Sequence, residues 1–492
     1  MTNPHQRKEK TMIDRDILLK GLRNGDPEIR AKLDKVYHED VTRRIIRVVE
    51  CFAERFPLTQ QITVLRAPGR VNLIGEHTDY NGLPVMPMAI DHNMLVALAP
   101  RNDLEVRAVN VEYPDRNFGI ERKIKPSETG DWGNYVKAGV QGIVDEFDGV
   151  EKLRGFDACF CGNVPTGAGL SSSSTLVVAS AMALLEASNI TMELLTLAER
   201  MAQAEWYVGT QGGGMDHASS ILSEKGKALK IDFFPLRVKP VTIPPGYTIV
   251  VANSMVIADK TKNARMKYNR QPAVCRAASA MLVKKLGLEK ENIQRLGDIY
   301  YLLGRDKTMQ VIDETFRQPV YRKKEIADFL GVTVEEVDRK FFTTKGGELV
   351  PEPMAGFQVG ARARHVVSET ARVEDSVKAV EAGDGEAFGR LMSQSHASCR
   401  DDYDISHPAL DRLITIARQA GSSGSRLTGA GFGGCTVHLV QDHRVEEVMA
   451  RFKLRYYDEA INQYPEAAER YRHDPLAALL ALRPSAGARV LF

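Results

Sequence analysis

A glycine-rich loop between a predicted strand and a predicted helix constrains the fold of this chain most. Residues 156–160 read as a β-strand, residues 176–186 carry apolar side chains at helical spacing, and residues 162–174 between them read GNVPTGAGLSSSS. Glycines lack a Cβ atom, so the backbone N–H groups of such a loop can approach a phosphate closely. A helix starting near Ser172 would add its positive N-terminal end. The pattern therefore predicts a phosphate-binding loop, the alternative being an ordinary helix capped by a serine.

The loop differs from a Walker A loop, because no Gly-Lys-Ser/Thr follows its glycines. Its serine hydroxyls could instead bond phosphate oxygens or a magnesium ion.

A cluster of polar side chains lies earlier, in residues 66–82, directly after β-branched residues of an expected strand. Arg70, Glu76, His77 and Asp79 lie close together in sequence, and intervening glycines allow the backbone to turn. With no cysteine and one histidine, the cluster is a poor metal site. Carboxylates accept hydrogen bonds from hydroxyl groups, and an imidazole can donate or accept. These residues therefore favour a polyhydroxylated ligand such as a sugar, the alternative being a solvated surface loop.

Two further glycine-rich segments follow. Residues 212–214 are glycines that precede Asp216, which would hold this carboxylate at the edge of a cleft, where it could act as a general base. A helix N-cap is the alternative for Asp216. Residues 425–435 contain a GxGxGG-like pattern, which alone is weak because tight strand connections also use glycines.

Composition and charge bound the class of protein. A chain of 492 residues favours two domains, and 26% charged with 43% hydrophobic residues is ordinary globular composition. A net charge of +2 indicates neither a nucleic-acid partner nor an anionic membrane, and no apolar run has the roughly 20 residues of a membrane span. We expect a cytoplasmic protein whose six scattered cysteines are buried, reduced thiols rather than metal ligands.

The sequence predicts three regions. Residues 1–45 form a helical N-terminal extension, a cap or an oligomer contact. Residues 46–245 form an N-terminal domain that carries the sugar loop (residues 66–82) and the phosphate loop (residues 162–174). Residues 246–492 form a C-terminal domain. A polar segment near 305–360 looks like an insertion rather than core.

Taken together, these motifs resemble those of galactokinases, in the kinase superfamily that also holds homoserine, mevalonate and phosphomevalonate kinases (the GHMP kinases). The sugar loop, the phosphate loop and the final glycine loop (residues 425–435) follow one another in the order found in that family. The likeness spans roughly residues 60–490. It implies an α+β, two-domain GHMP-kinase-like fold with the active site in the interdomain cleft. The cofactors it implies are ATP and Mg2+, and it leaves protein partners unknown.

The resemblance also implies roles for individual residues. Asp216 and Arg70 match the catalytic pair. Substrate-binding positions match Glu76, His77, Thr78, Asp79 and Tyr268. ATP-binding positions match Gly167, Ala168, Gly169, Leu170, Ser171, Ser172, Ser173 and Trp132. The magnesium positions match Ser173 and Glu205, although Glu205 lies eleven residues before Asp216, where many bacterial members have twelve.

The activity implied is ATP-dependent phosphorylation of galactose at its anomeric hydroxyl, giving galactose 1-phosphate. Two alternatives stay open. The segment near 305–360 is similar to the eukaryotic branch, which includes N-acetylgalactosamine 1-kinases. A non-catalytic galactose sensor is disfavoured, because the serine loop is uninterrupted and both Asp216 and Arg70 are present.

Overall fold

The computed structural model describes residues 12–209, 213–257, 262–288, 293–344 and 346–492, without the side chains of 262–265. The strands are β1 (Ile13–Asp14), β2 (Gln61–Ile74), β3 (Met86–Pro100), β4 (Glu105–Asn110), β5 (Arg116–Gly119), β6 (Phe156–Gly162), β7 (Lys227–Asp232), β8 (Arg237–Thr242), β9 (Tyr247–Asn253), β10 (Gly424–Leu427), β11 (Cys435–Gln441), β12 (Leu479–Leu482) and β13 (Arg489–Val490).

The α-helices are α1 (Arg15–Asn24), α2 (Pro27–Asp34), α3 (Thr42–Arg55), α4 (Gly133–Glu146), α5 (Ser172–Ala187), α6 (Leu194–Ala204), α7 (Met215–Leu222), α8 (Lys262–Leu286), α9 (Leu296–Leu303), α10 (Arg305–Thr315), α11 (Lys323–Leu330), α12 (Val334–Val337), α13 (Val359–Glu381), α14 (Gly385–Asp401), α15 (Pro408–Gln419), α16 (Val445–Phe452) and α17 (Pro465–His473). Short 3-10 turns at Asp79–Asn81 and Glu205–Val208 matter for the site. The strands and helices predicted around the phosphate loop are confirmed, whereas α8 begins earlier than expected and continues through Pro272.

The first sheet has the order β1-β2-β3-β6-β4-β5, with β13 added on β2. Its pairs are antiparallel except for β4 with β6. The register of β2 against β3 shifts between Pro68 and Arg70. A Cβ atom on Gly69, between them, would lie 2.7 Å from the carbonyl oxygen of Leu170. This irregularity therefore brings Arg70 against the phosphate loop.

Both faces of this sheet are covered by helices. Leu65, Val96 and Phe160 point toward α4–α7, while Val64 and Leu95 point toward α1–α3. The alternation follows from the two-residue period of a strand. The predicted helical extension is thus a cap on the first sheet, and its residues 1–11 lie outside the described part of the chain.

The prediction that all six cysteines are reduced is wrong in this structure. Cys51 and Cys159 form a disulfide, with their Cα atoms 6.5 Å apart. Cys159 and Cys161 lie on the same face of β6, as expected, and α3 packs on that face and places Cys51 opposite Cys159. No local sequence pattern indicates this pairing, because the two residues are 108 positions apart.

The second half of the chain contains a four-stranded sheet, β10-β11-β9-β12, and most of the remaining helices. The expectation that residues 305–360 lie outside the core is wrong. Ile312, Phe316, Phe342 and Phe357 are buried in one apolar cluster with α8 and α13, and the Phe342 and Phe357 rings stack with centroids 4.5 Å apart. The domain boundaries themselves stay predictions, although β13 returns the end of the chain to the first sheet.

Within the described ranges, no helix is both long enough and apolar enough to cross a membrane.

Candidate active site

The phosphate loop connects β6 to α5, as the sequence predicts. Gly167, Gly169 and Ser171 have positive φ angles of 71°, 75° and 64°, and Ser171 immediately precedes the helix. The loop backbone thus turns through left-handed conformations, which favour glycine, directly before the helix N-terminus. A helix of 16 residues then offers its unsatisfied N–H groups at this end.

The final glycine loop packs directly on the phosphate loop. A Cβ atom on Gly429 would lie 2.6 Å from the carbonyl oxygen of Gly169, and one on Gly434 would lie 2.8 Å from that of Ala168. The Cys435 amide donates to the Ala168 carbonyl at 3.0 Å. Glycine is required on both sides because the two backbones leave no room for side chains. The final glycine loop therefore supports the phosphate loop, a relation that its own sequence pattern does not reveal.

Arg70 and Asp216 meet beside the phosphate loop. The Arg70 guanidinium donates to Asp216 Oδ1 from Nε at 2.8 Å and lies 2.6 Å from it through Nη2. Its Nη1 donates to the Gly169 carbonyl at 2.6 Å, and Ser171 Oγ donates to Asp216 Oδ2 at 2.6 Å. The structure thus joins the predicted catalytic pair to the loop through two of its members, Gly169 and Ser171.

Asp79 and Tyr268 face this pair from two different halves of the chain. Burial and the neighbouring Asp216 carboxylate together raise the pKa of Asp79 to about 6. Burial and the charges of Asp79 and Asp216 also raise the pKa of the Tyr268 phenol. The Tyr268 ring lies 5.6 Å from the ring of His77, centroid to centroid. A carboxyl group and a phenol therefore border the same polar space as Asp216.

Glu76 contacts several residues from the second half of the chain. Its Oε2 lies 2.9 Å from Arg426 Nη1, and both side chains are buried. Burial raises the pKa of Glu76, and Arg426 opposes this rise. The amides of Gly75 and Glu76 donate to Glu369 Oε1 at 2.9 and 3.3 Å, and the Glu76 carbonyl lies 3.1 Å from Nε2 of His365.

The other two residues of the sugar loop use their polar atoms within the protein. Thr78 Oγ1 donates to the carbonyls of Gly75 and Pro84 at 3.1 and 2.8 Å. His77 Nε2 lies 3.2 Å from the Ala430 carbonyl, and its Nδ1 lies 2.8 Å from the Tyr80 hydroxyl. Both ring nitrogens therefore have protein partners in this structure, and the contact of His77 with a sugar stays a prediction.

Glu205 lies beside the serines of the phosphate loop, on the 3-10 turn after α6. Ser174 Oγ donates to its Oε2 at 2.8 Å, and His217 Nε2 lies 2.9 Å from the same oxygen. Burial opposes ionisation of Glu205, but His217, Ser174 and Ser173 outweigh it and lower its pKa. The structure thus brings Glu205 to the serine loop despite its unusual spacing. Among the described residues, no group of three or more His, Cys, Asp or Glu side chains is arranged as a metal site.

Trp132 packs into the core behind the loops. Its indole N–H donates to the Pro114 carbonyl at 2.8 Å, and its ring meets Phe160 edge-on at 5.9 Å. Its contact with ATP stays a prediction.

Three residues that contact predicted site residues were not singled out by the sequence motifs. Glu369 and Arg426 act from far along the chain, and His217 lies twelve residues after its partner Glu205. Arg426 stands beside the final glycine loop and His217 next to Asp216, so their neighbours in sequence were the available signals. Glu369 lies inside the long helix α13, where no local pattern marks it.

Three family models match the chain. The galactokinase galactose-binding signature covers residues 50–100, the GHMP kinases N terminal domain covers residues 134–224, and the GHMP kinases C terminal model covers residues 376–458. These ranges contain the sugar loop, the phosphate loop with Asp216, and the final glycine loop, respectively.

Similar proteins agree with these models. The chain is 32% identical over 470 residues to a galactokinase of Dictyostelium discoideum, covering 89% of this chain and 93% of that protein. It is 37% identical over 398 residues to a galactokinase of Roseiflexus sp. (strain RS-1), covering 80% and 88%. The solved structure of Lactococcus lactis galactokinase complexed with galactose matches with a TM-score of 0.71 at 28% identity, over 89% of this chain and 98% of that chain. Because the likeness extends over most of this chain and most of each compared protein, and includes every loop of the site, the chain belongs to the galactokinase family.

Proposed function

We propose that this protein transfers the γ-phosphoryl group of ATP to the anomeric hydroxyl of galactose, giving α-D-galactose 1-phosphate. The observation that carries the proposal is the Asp216 carboxylate, fixed by Arg70 and Ser171 where the sugar loop meets the phosphate loop. A phosphoryl acceptor has to lie at this junction. The galactokinase relatives, and the bound galactose in the Lactococcus lactis structure, support galactose as that acceptor.

Catalysis would rest on positioning and charge. Asp216 accepts the proton of the anomeric hydroxyl as its oxygen attacks the γ-phosphorus, and ADP leaves. Arg70 is tied to both Asp216 and the Gly169 carbonyl, so its positive charge is fixed between the base and the phosphate loop. There it opposes the negative charge that develops during transfer.

Sugar hydroxyls would bond to Glu76, Asp79 and Tyr268, of which Asp79 and Tyr268 border the same polar space as Asp216. A site that hydrogen-bonds hydroxyl groups rejects an analogue that leaves those groups unpaired, often by about 10⁴-fold. Glucose differs from galactose in the direction of its fourth hydroxyl and would miss a partner here. His77 and Thr78 are further proposed sugar contacts, and their hydrogen bonds within the protein hold the loop in shape.

The nucleotide would lie along residues 167–173, with Mg2+ held by the Ser173 hydroxyl and the Glu205 carboxylate. These oxygen donors suit Mg2+, which takes few protein ligands and completes its shell with water and phosphate oxygens. The lowered pKa of Glu205 keeps that carboxylate charged for this role. Bound Mg2+ would neutralise phosphate charge. Because the reaction uses ATP, we place the enzyme in the cytoplasm.

A coupled assay of ADP release tests the proposal. kcat/KM is compared for galactose, glucose and N-acetylgalactosamine under one set of conditions. Galactose should lead both other sugars, with glucose rejected by several orders of magnitude. Comparable use of glucose, or a lead by N-acetylgalactosamine, would overturn the sugar assignment.

A further inference from the structure

One face of helix α13 contacts the sugar loop. His365, Glu369 and Val373 are spaced four residues apart, so their side chains project from the same side of this helix. His365 Nε2 lies 3.1 Å from the Glu76 carbonyl oxygen, and Glu369 Oε1 accepts from the Glu76 amide at 3.3 Å. The Gly75 amide also donates to Glu369 Oε1, at 2.9 Å, and a Cβ atom on Gly75 would lie 2.9 Å from Val373 Cγ2. Both polar backbone atoms of Glu76 therefore contact side chains of α13.

Glu369 also reaches the side chain of Glu76, through two intermediate residues. Ser395 Oγ donates to Glu369 Oε1 at 2.6 Å and accepts from Arg426 Nε at 3.0 Å. Arg426 Nη1 in turn lies 2.9 Å from Glu76 Oε2. All four side chains are buried, so bulk water does not compete for these bonds. A single oxygen of Glu369 is thus linked to both the backbone and the carboxylate of Glu76.

The negative charge of Glu369 is directed at the loop. Its other oxygen, Oε2, accepts from Arg372 Nε at 2.7 Å. Burial opposes ionisation of Glu369, but the guanidinium groups of Arg372 and Arg426 help to outweigh it and hold the pKa of Glu369 well below the usual range. A charged acceptor forms stronger hydrogen bonds with amides than a neutral one. Because the Glu369 side chain is inaccessible, it acts on a bound sugar only through other residues.

We propose that Glu369 is a positioning residue that sets the orientation of Glu76 toward the sugar. It holds the Glu76 peptide directly and the Glu76 carboxylate through Ser395 and Arg426. The expected effect on sugar binding rests on the proposed function, in which Glu76 bonds a sugar hydroxyl, whereas the hold on the loop backbone does not.

Amide hydrogen exchange on the full chain, without any ligand, tests the hold on the backbone. Glu369→Gln keeps the shape of the side chain but removes its charge, so the amides of Gly75 and Glu76 should exchange about tenfold faster than in the wild type. The phosphate loop should exchange as before. Glu374→Gln is the matched control on the same helix, because the Glu374 carboxylate accepts from a residue of α9 at 3.0 Å. Unchanged exchange at the two loop amides in Glu369→Gln would overturn the proposal.

Calorimetric titration tests the consequence for the sugar. We expect Glu369→Gln to weaken galactose binding roughly tenfold and to leave ATP binding unchanged, because the hydrogen bonds that weaken involve a charged acceptor. Glu76→Gln should also weaken galactose binding. In the double variant, Glu369→Gln should add little further, since both substitutions act on the same contact. Full addition of the two effects would refute the proposal, because Glu369 would then act independently of Glu76.

Ser395→Ala tests the link to the Glu76 carboxylate, and it does so even if Glu369→Gln fails to fold. It removes the hydroxyl between Glu369 and Arg426, so galactose binding should weaken about fivefold, with ATP binding unchanged. A wild-type affinity for galactose in Ser395→Ala would contradict this part of the proposal.

The outcomes distinguish this proposal from the proposed function. If the variants lower the melting temperature but alter neither the exchange of the loop amides nor the affinity for galactose, Glu369 has only a structural role and the positioning proposal is refuted. If exchange and affinity change as expected but the wild type does not phosphorylate galactose, Glu369 positions Glu76 and the proposed function fails.

Discussion

Arg70 contacts one oxygen of Asp216 through two guanidinium nitrogens, at 2.8 Å from Nε and 2.6 Å from Nη2, while the Ser171 hydroxyl donates a hydrogen bond to the other oxygen. The Arg70 side chain is nearly inaccessible, whereas about a quarter of the Asp216 side chain is exposed. Of these two side chains, the Asp216 carboxylate is therefore the one that can reach a substrate. Arg70 fixes the orientation of the Asp216 carboxylate, because the irregularity in β2 turns Arg70 toward the phosphate loop.

The first prediction concerns Asp216. Asp216→Asn keeps the shape of the side chain but removes both its charge and its basicity. We expect kcat to fall at least about a hundredfold, the low end for a general base, with little change in sugar affinity. Turnover kinetics and calorimetric titration of the sugar check this. Near wild-type turnover would contradict the role of Asp216.

The second prediction concerns Gly169, which has a φ of 75° and whose added Cβ would lie 3.0 Å from the Thr428 carbonyl oxygen. Gly169→Ala should weaken ATP binding and lower thermal stability, because the final glycine loop must move away. Gly130→Ala is the matched control, with a φ of 94° and open space around its Cβ position. It carries the same backbone strain of about 1 kcal/mol without the collision. Equal effects of the two substitutions on stability and on ATP affinity would argue against close contact at Gly169.

The third prediction follows from the raised pKa of Asp79. Folding raises this pKa from its ordinary value near 4 to about 6, so the folded protein binds the proton more tightly than the unfolded chain. The contribution of Asp79 to wild-type stability should therefore fall as the pH rises from about 4 through 6, by up to about 3 kcal/mol. Asp79→Asn removes the charge and should be more stable than the wild type at pH 7.5, but not at pH 4.

Thermal unfolding between pH 4 and 8 measures that difference. Asp313→Asn, at a side chain that is 61% exposed, serves as the control and should show no such trend. A stability difference for Asp79→Asn that does not change with pH would contradict the prediction. The same variant should bind galactose more weakly, because a carboxylate acceptor is lost.

The fourth prediction concerns the proposed magnesium position. Glu205→Gln removes a charged oxygen ligand, so the Mg2+ concentration for half-maximal activity should rise about tenfold or more at fixed ATP. Glu199→Gln, on the exposed side of the preceding helix α6, is the control and should leave the Mg2+ dependence unchanged. Titration of activity with Mg2+ measures both. An unaltered Mg2+ dependence in Glu205→Gln would exclude this carboxylate as a ligand.

Local sequence patterns were enough to predict several parts of this protein. The strand, glycine turn and helix around residues 162–174 were predictable because each depends on the conformational preferences of nearby residues. Asp216 and Arg70 could be singled out because their own loops mark them. The family likeness then supplied the order in which the loops combine.

Contacts between groups that are far apart in sequence depend on the packing of the whole fold. Arg426 pairs with Glu76 and Glu369 receives the sugar-loop amides, although both lie some 290 or more residues from their partners. The packing of residues 305–360 into the core and the pairing of Cys51 with Cys159 depend in the same way on how helices settle on sheets. His77 shows the limit most clearly. Its residue type suits a hydrogen-bonding site, but only the fold brings the Tyr80 hydroxyl and the Ala430 carbonyl to its two ring nitrogens.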